Sequence, residues 1–311
     1  MTRKTKTSRI SLQGPNARGT TIAAAALRDV LDILLEGSQR AVRLAVEGRS
    51  TARGTIPGWL EDAAGFDLTS IDEGSTQLAI AAQPLRSAVP QHFAQLDFFG
   101  EADGESSSVE VFARGLSRAV AQDLDSELFD AGLLKTYARF NKVLDRGFDR
   151  IEFVDGTNFC LDRAAMDSLA GVQARVPSPR QVRVSGKLEQ IQHSDRRFTL
   201  LVGGTTVRGV AQEGVPAERL GALFGHNVVV SGQAVFRPSG AVLRLEADAF
   251  DEADERATLW QKVPKPLFTA IAESGKYRVP QGPRSGIAAI IGKWPGDEDD
   301  EEIAAALEHI S

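Results

Sequence analysis

A chain of 311 residues is too long for one small core, and its length favours two domains. Hydrophobic residues at 42% and charged residues at 25% exclude a disordered chain, while aromatics at 6% leave Ala, Val, Leu and Ile to build the cores. The net charge of −6 equals the six acids of residues 297–302, so the body is formally neutral and its charge singles out no ligand.

In chain order, the basic start with Arg3, Lys4, Lys6 and Arg9 lacks the apolar stretch of a secretory signal. Ile10 and Leu12 alternate as a weak strand. From Thr20 the apolar spacing turns helical through Ile22, Leu27, Val30, Leu31, Leu34 and Leu35, with Thr20 or Thr21 as cap and an interruption expected at Gly37-Ser38. Residues 66–69 and 77–81 read as a hairpin around the turn 72–75. Two helices are predicted next, from about Ser107 through Phe112 and Val120, and from about Ser126 through Leu133, Tyr137 and Leu144. Ile151, Phe153 and Phe159 are strand candidates, and a short helix follows at residues 163–170. Cys160, the only cysteine, excludes an internal disulfide, fits a reducing compartment and reads as a small buried hydrophobe. Residues 1–172 are therefore expected to form a mixed α+β domain.

Residues 173–181 carry Pro177 and Pro179 and read as a linker. Strand-like runs then appear at 182–191, 197–202, 206–210, 227–236 and 241–247, with a helical piece at 216–224 after the third. That order, together with Gly186 and Gly232 where long strands must bend, resembles an OB-fold, a small five-stranded β-barrel, over residues 182–250. Residues 251–311 read as an extended tail with a short terminal helix, in which Trp260, Leu267, Phe268 and Tyr277 could dock on the body. The fold class is α+β throughout. No run approaches the roughly 18 apolar residues of a membrane span, so no membrane contact is expected.

Few residues suggest chemistry. Residues 14–21, Gly-Pro-Asn-Ala-Arg-Gly-Thr-Thr, have the glycines and threonine of a phosphate loop, but Thr20 stands where the lysine belongs. A turn before a helix is the simpler reading. His92, His193, His226 and His309 are scattered without ligand spacing, so no metal or cofactor is expected. Asp123, Asp125, Glu127 and Asp130 lie at a helix boundary, where acids suit the helix N-terminus. Ser75 has no nucleophile-elbow pattern. The expectation is a non-enzyme.

Residues 178–250 hold nine Arg or Lys against six acids. Arg183, Lys187, Arg196, Arg197, Arg208 and Arg244 could track a nucleic-acid backbone. Single-strand binding also needs exposed aromatic platforms, whereas Phe198, Phe224, Phe236 and Phe250 fall at expected core positions. The tail is more specific. Trp294 stands between Gly292-Lys293 and Pro295-Gly296, followed by the acids from Asp297 and an apolar stripe of Ile303, Ala306, Leu307 and Ile310. Docking in trans, folding back on the body and an acidic solubilising end all remain open for such a segment.

Residues 291–303, Ile-Gly-Lys-Trp-Pro-Gly-Asp-Glu-Asp-Asp-Glu-Glu-Ile, resemble the C-terminal segments of bacterial antitoxins paired with PIN-domain ribonuclease toxins. The resemblance covers about 20 residues. It implies a cytoplasmic regulatory protein of a toxin–antitoxin system whose tail wraps a nuclease partner. Trp294 would be the anchor, Lys293 the charge nearest the toxin's carboxylates, Asp297 part of the acidic run, and Ile303 and Leu307 the helix contacts.

Overall fold

The computed structural model describes residues 5–52, 54–72, 76–93, 104–154, 158–192 and 196–267. Within them the chain runs β1 (Lys6–Gln13), α1 (Ala24–Glu47), α2 (Gly58–Ala64), β2 (Phe66–Asp72), β3 (Thr76–Ala82), α3 (Leu85–Ala88), α4 (Pro90–Phe93), α5 (Ser108–Val120), α6 (Ala131–Ala138), α7 (Phe140–Asp145), β4 (Arg150–Phe153), β5 (Phe159–Leu161) and α8 (Arg163–Ala174). The second half follows as β6 (Arg180–Gln192), β7 (Arg197–Val202), β8 (Thr205–Ala211), α9 (Ala217–Ala222), β9 (Asn227–Phe236), β10 (Val242–Glu252) and a 3-10 helix at Glu255–Trp260. Strands and helices are both extensive, and the α+β class holds. No helix among the described residues is long and apolar enough to cross a membrane.

The first half is an antiparallel sheet in the order β2-β3-β1-β4-β5 covered by helices. β1, weak by its sequence, sits at the centre, with Ser8, Ile10 and Leu12 buried on one face and Ser11 on the other. α1 packs on α2, α5, α6 and α7 through Val30, Ile33, Leu34, Ala41 and Val42. Its N-cap is Ala23 and has no side-chain cap, so Thr20 and Thr21 do not cap it. Nor does Gly37-Ser38 interrupt it. Gly37 is the close-approach point of α5, because a Cβ there would overlap the Phe112 ring. α1 stops at Gly48, whose left-handed φ of 72° returns its N–H to the Leu44 carbonyl.

α5 begins where expected, with the Ser107–Glu110 capping box closed in both directions. The second predicted helix starts five residues late. Asp130 is its N-cap, accepting from the N–H groups of Gly132 and Leu133. It also breaks at Arg139 into α6 and α7. Phe112, Tyr137, Phe140 and Phe153 meet in the core, with the Phe112 and Tyr137 rings edge to face at 5.2 Å.

The irregular connection is shorter than the predicted linker, since α8 runs to Ala174 and β6 starts at Arg180. The second half is a closed five-stranded barrel in the order β10-β8-β7-β6-β9. Four pairings are antiparallel, and β8 with β10 is the parallel seam. With α9 between its third and fourth strands, the barrel is compatible with an OB-like fold. Gly186 and Gly232 sit where a Cβ would strike the neighbouring strand's backbone. Each lies near a register shift that bends the strands, at Leu188/Gln190 and Ala247/Ala249. Phe198 and Phe250 meet edge to face inside at 4.9 Å, whereas Phe224, expected in the core, is 56% exposed.

Both halves belong to one compact unit ending at Ala270. The first part of the predicted tail belongs to this unit. β10 extends to Glu252, and the 3-10 helix lies against β6 and β9, so Trp260 docks on the body as expected. Phe268 and Tyr277, and the partner-docking residues Lys293, Trp294, Asp297, Ile303 and Leu307, lie outside the described residues.

Candidate functional site

The densest polar constellation lies where the α+β half meets the barrel. Asp130 is 6% exposed, and its carboxylate accepts from the Ser50 N–H at 3.2 Å, the Ser50 hydroxyl at 2.5 Å and Arg244 Nη1 at 3.1 Å, besides its two capping bonds. Arg244 holds Glu246 as well, at 2.9 Å. Burial alone would push the Asp130 carboxyl up; the Arg244 guanidinium and the Ser50 hydrogen bonds outweigh it and hold the group below its ordinary range. The same carboxylate adds to the burial that pushes the Tyr137 phenol well up.

Around this centre the acidic segment grips the barrel. Glu127 pairs with Arg208 and, at 2.5 Å, with Arg237. Arg237 also donates to the Asp125 carbonyl at 2.8 Å, and the Ser239 N–H to the Leu124 carbonyl at 3.2 Å. From the other side Arg197 Nη1 donates to the Ala45 carbonyl at the end of α1, and Gly48 approaches Val210. These contacts fall on β10, on the β9–β10 turn and, through Arg197 and Arg208, on β7 and β8, the second and third strands of the barrel. In OB-folds that face and its flanking loops take up oligonucleotides. Here the end of α1 and Glu127 occupy part of that face, while Thr206 and Arg208 stay exposed.

The six basic residues proposed for nucleic acid therefore do not form one face. Arg197 and Arg244 are buried in the junction, and Arg208 is paired with Glu127 there. Arg196, at a left-handed φ of 56°, turns back to donate to the Val215 carbonyl. Lys187 is half-exposed beside Glu189 at 3.9 Å. Arg183 stands apart, its guanidinium over the Trp260 ring at 5.7 Å from the centroid. It borders a groove between β6, β9 and the segment after the 3-10 helix, where Arg180 Nη1 donates to the Lys265 carbonyl at 3.0 Å.

The other sequence candidates fall as follows. Residues 14–21 make a turn packed on residues 146–149, with the Asn16 N–H bonded to the Gly147 carbonyl and its side-chain amide to the Arg146 carbonyl. Gly14, at φ 136°, is needed there because a Cβ would meet the backbone of Phe148 and Asp149. Loop donors are thus spent inside the protein, and α1 begins only at Ala24. Cys160 is half-buried on edge strand β5 rather than fully buried, and burial pushes its thiol up. His226 closes the turn from α9 into β9 through its backbone. Ser75, His193 and His309, and the side chain of His92, lie outside the described residues. Among the described residues no group of three or more His, Cys, Asp or Glu could hold a metal ion.

Comparison of the chain with protein-family models, with curated proteins and with solved structures returned no match.

Proposed function

We propose that this is a non-enzymatic regulatory protein of the antitoxin kind, which captures a protein partner through its C-terminal segment. The observation that carries this reading is the sequence of residues 291–303 and the apolar stripe after it. A large aromatic on a Pro-Gly turn is the type of anchor that dominates peptide docking. An acidic stretch leading into a narrow apolar face then supplies a helix for a groove. The partner class is a PIN-domain-like nuclease. Lys293 faces its acidic metal site, Trp294 fills a pocket, Asp297 and its neighbours meet basic RNA-binding residues around that site, and Ile303 and Leu307 lie along a groove. On this reading the protein works in the cytoplasm of a bacterium, and its body supports the tail.

The body adds one supporting feature. On the β7–β8 face Arg197 is held by the Ala45 carbonyl and Arg208 by Glu127, so less of that face is left to a partner. The test uses the full chain and a chain ending at Gly292 as baits in the native host. The full chain retrieves a metal-dependent ribonuclease that the shortened chain does not, and added full chain inhibits that enzyme. Retrieval of the same proteins by both baits would overturn the proposal.

A further inference from the structure

The barrel carries a second surface, remote in composition from the closed junction. A groove is floored by Val182 and Gly232 and rimmed by Arg180, Arg183, Lys262 and Lys265, with Trp260 in its wall. All four cations are exposed, and none is ion-paired with a described residue; Asp248 is the one acid in the lining. Arg180 spends one donor on the Lys265 carbonyl, but none of the four faces a carboxylate as Arg208, Arg237 and Arg244 face Glu127 and Asp130. In a protein of net charge −6, four cations without a carboxylate partner on one groove concentrate positive potential where a polyanion can lie.

We infer that this groove is a binding site for single-stranded nucleic acid. The charge would suit any polyanion; the ring pair narrows the choice. Arg183 lies over the Trp260 ring, so the groove offers a guanidinium plane and an indole plane together. Unpaired bases stack on both kinds of plane, and the contact tolerates any sequence because every base has a π-face. An acidic peptide segment would use the four cations and gain nothing from the stack. Duplex DNA keeps its bases inside and would leave the indole unused. The site lies on β6 and β9, away from β7 and β8, so the contacts on those strands leave it open.

The test is fluorescence anisotropy of the full chain with a labelled 20-nucleotide oligothymidylate across a salt series. Four phosphate contacts on a single strand give a slope of log affinity against log salt of about −3, or about 50-fold between 50 and 200 mM salt. The surface variant Lys262→Gln with Lys265→Gln halves that slope. Trp260→Leu keeps an apolar side chain on the barrel but loses the stack, and weakens binding about tenfold. Thermal unfolding of each variant, compared with the wild type, separates a local effect from a fold defect. Absence of binding at 20 mM salt would overturn the inference, as would a slope and affinity unchanged in the double lysine variant. Displacement of the oligonucleotide by an equal charge of polyglutamate, with Trp260→Leu without effect, would also overturn it and assign the groove to an acidic protein segment.

Discussion

Replacing Asp130 by Asn tests whether the two halves are fixed by one buried carboxylate. The amide oxygen can still cap α6 through Gly132 and Leu133, so the cap survives. The new NH2 group, however, faces the Ser50 N–H and the Arg244 guanidinium, donor against donor. Arg244 has a side chain only 9% exposed, and the change leaves it with Glu246 alone. Breaking a buried pair by removing one partner costs about 3–5 kcal/mol, and the surviving Glu246 contact puts this case near 3 kcal/mol. For a unit of this size that lowers the melting temperature by about 6–12 °C. Adding Arg244→Met to the variant removes the orphaned charge and recovers part of the loss, so the double-mutant cycle gives coupling of about 2 kcal/mol.

The sign with pH follows from the depressed Asp130 pKa. Stability from the carboxylate is complete above the ordinary aspartate value of about 3.9 and is lost as the pH falls through the lower folded-state value. The deficit of Asp130→Asn is therefore full at neutral pH and shrinks once the pH falls below about 4. Urea unfolding at pH 7 and in acid measures both effects. A loss under 1 kcal/mol at pH 7, or strict additivity with Arg244→Met, would refute the reasoning.

Three further outcomes follow from local geometry. Gly37→Ala in the middle of α1 gains about 1 kcal/mol of helix propensity but forces a methyl into the Phe112 ring, an overpacking of about 1–3 kcal/mol; thermal unfolding shows net destabilisation, opposite to the usual result in a helix. Glu127→Ala removes two ion pairs that are well exposed on the glutamate side, and costs about 1 kcal/mol or less, less still at high salt. Cys160, its thiol pushed up by burial, alkylates with iodoacetamide at pH 7.5 more slowly than a free cysteine, as followed by mass spectrometry.

Periodicity made most of the elements readable. The barrel strands alternate, Gly186 and Gly232 mark the bends, and the capping box at Ser107 and Glu110 fixes a helix start. The misreadings have local causes. Thr20 and Thr21 look like caps, but the residues before α1 are used in a turn against residues 146–149. Asp130 is pulled into a contact 114 residues away, and the helix starts behind it. The contacts made by β7, β8 and β10 with the first half were hidden for the same reason. Arg208 and Arg244 read as part of a solvent-facing basic stripe until Glu127 and Asp130 come opposite them, and Arg197 until the end of α1 does. The Arg183–Trp260 pair joins positions 77 residues apart, a contact no spacing rule reaches.

The capture of a protein partner by residues 291–303 is tested most directly by titrating the purified nuclease partner with the full chain and with its Trp294→Ala variant, by calorimetry at fixed salt. A central aromatic anchor is worth about 2 kcal/mol or more, so the variant binds at least about 30-fold more weakly while its body unfolds at the wild-type temperature. Equal affinity of the two proteins for the nuclease would contradict capture by the tail.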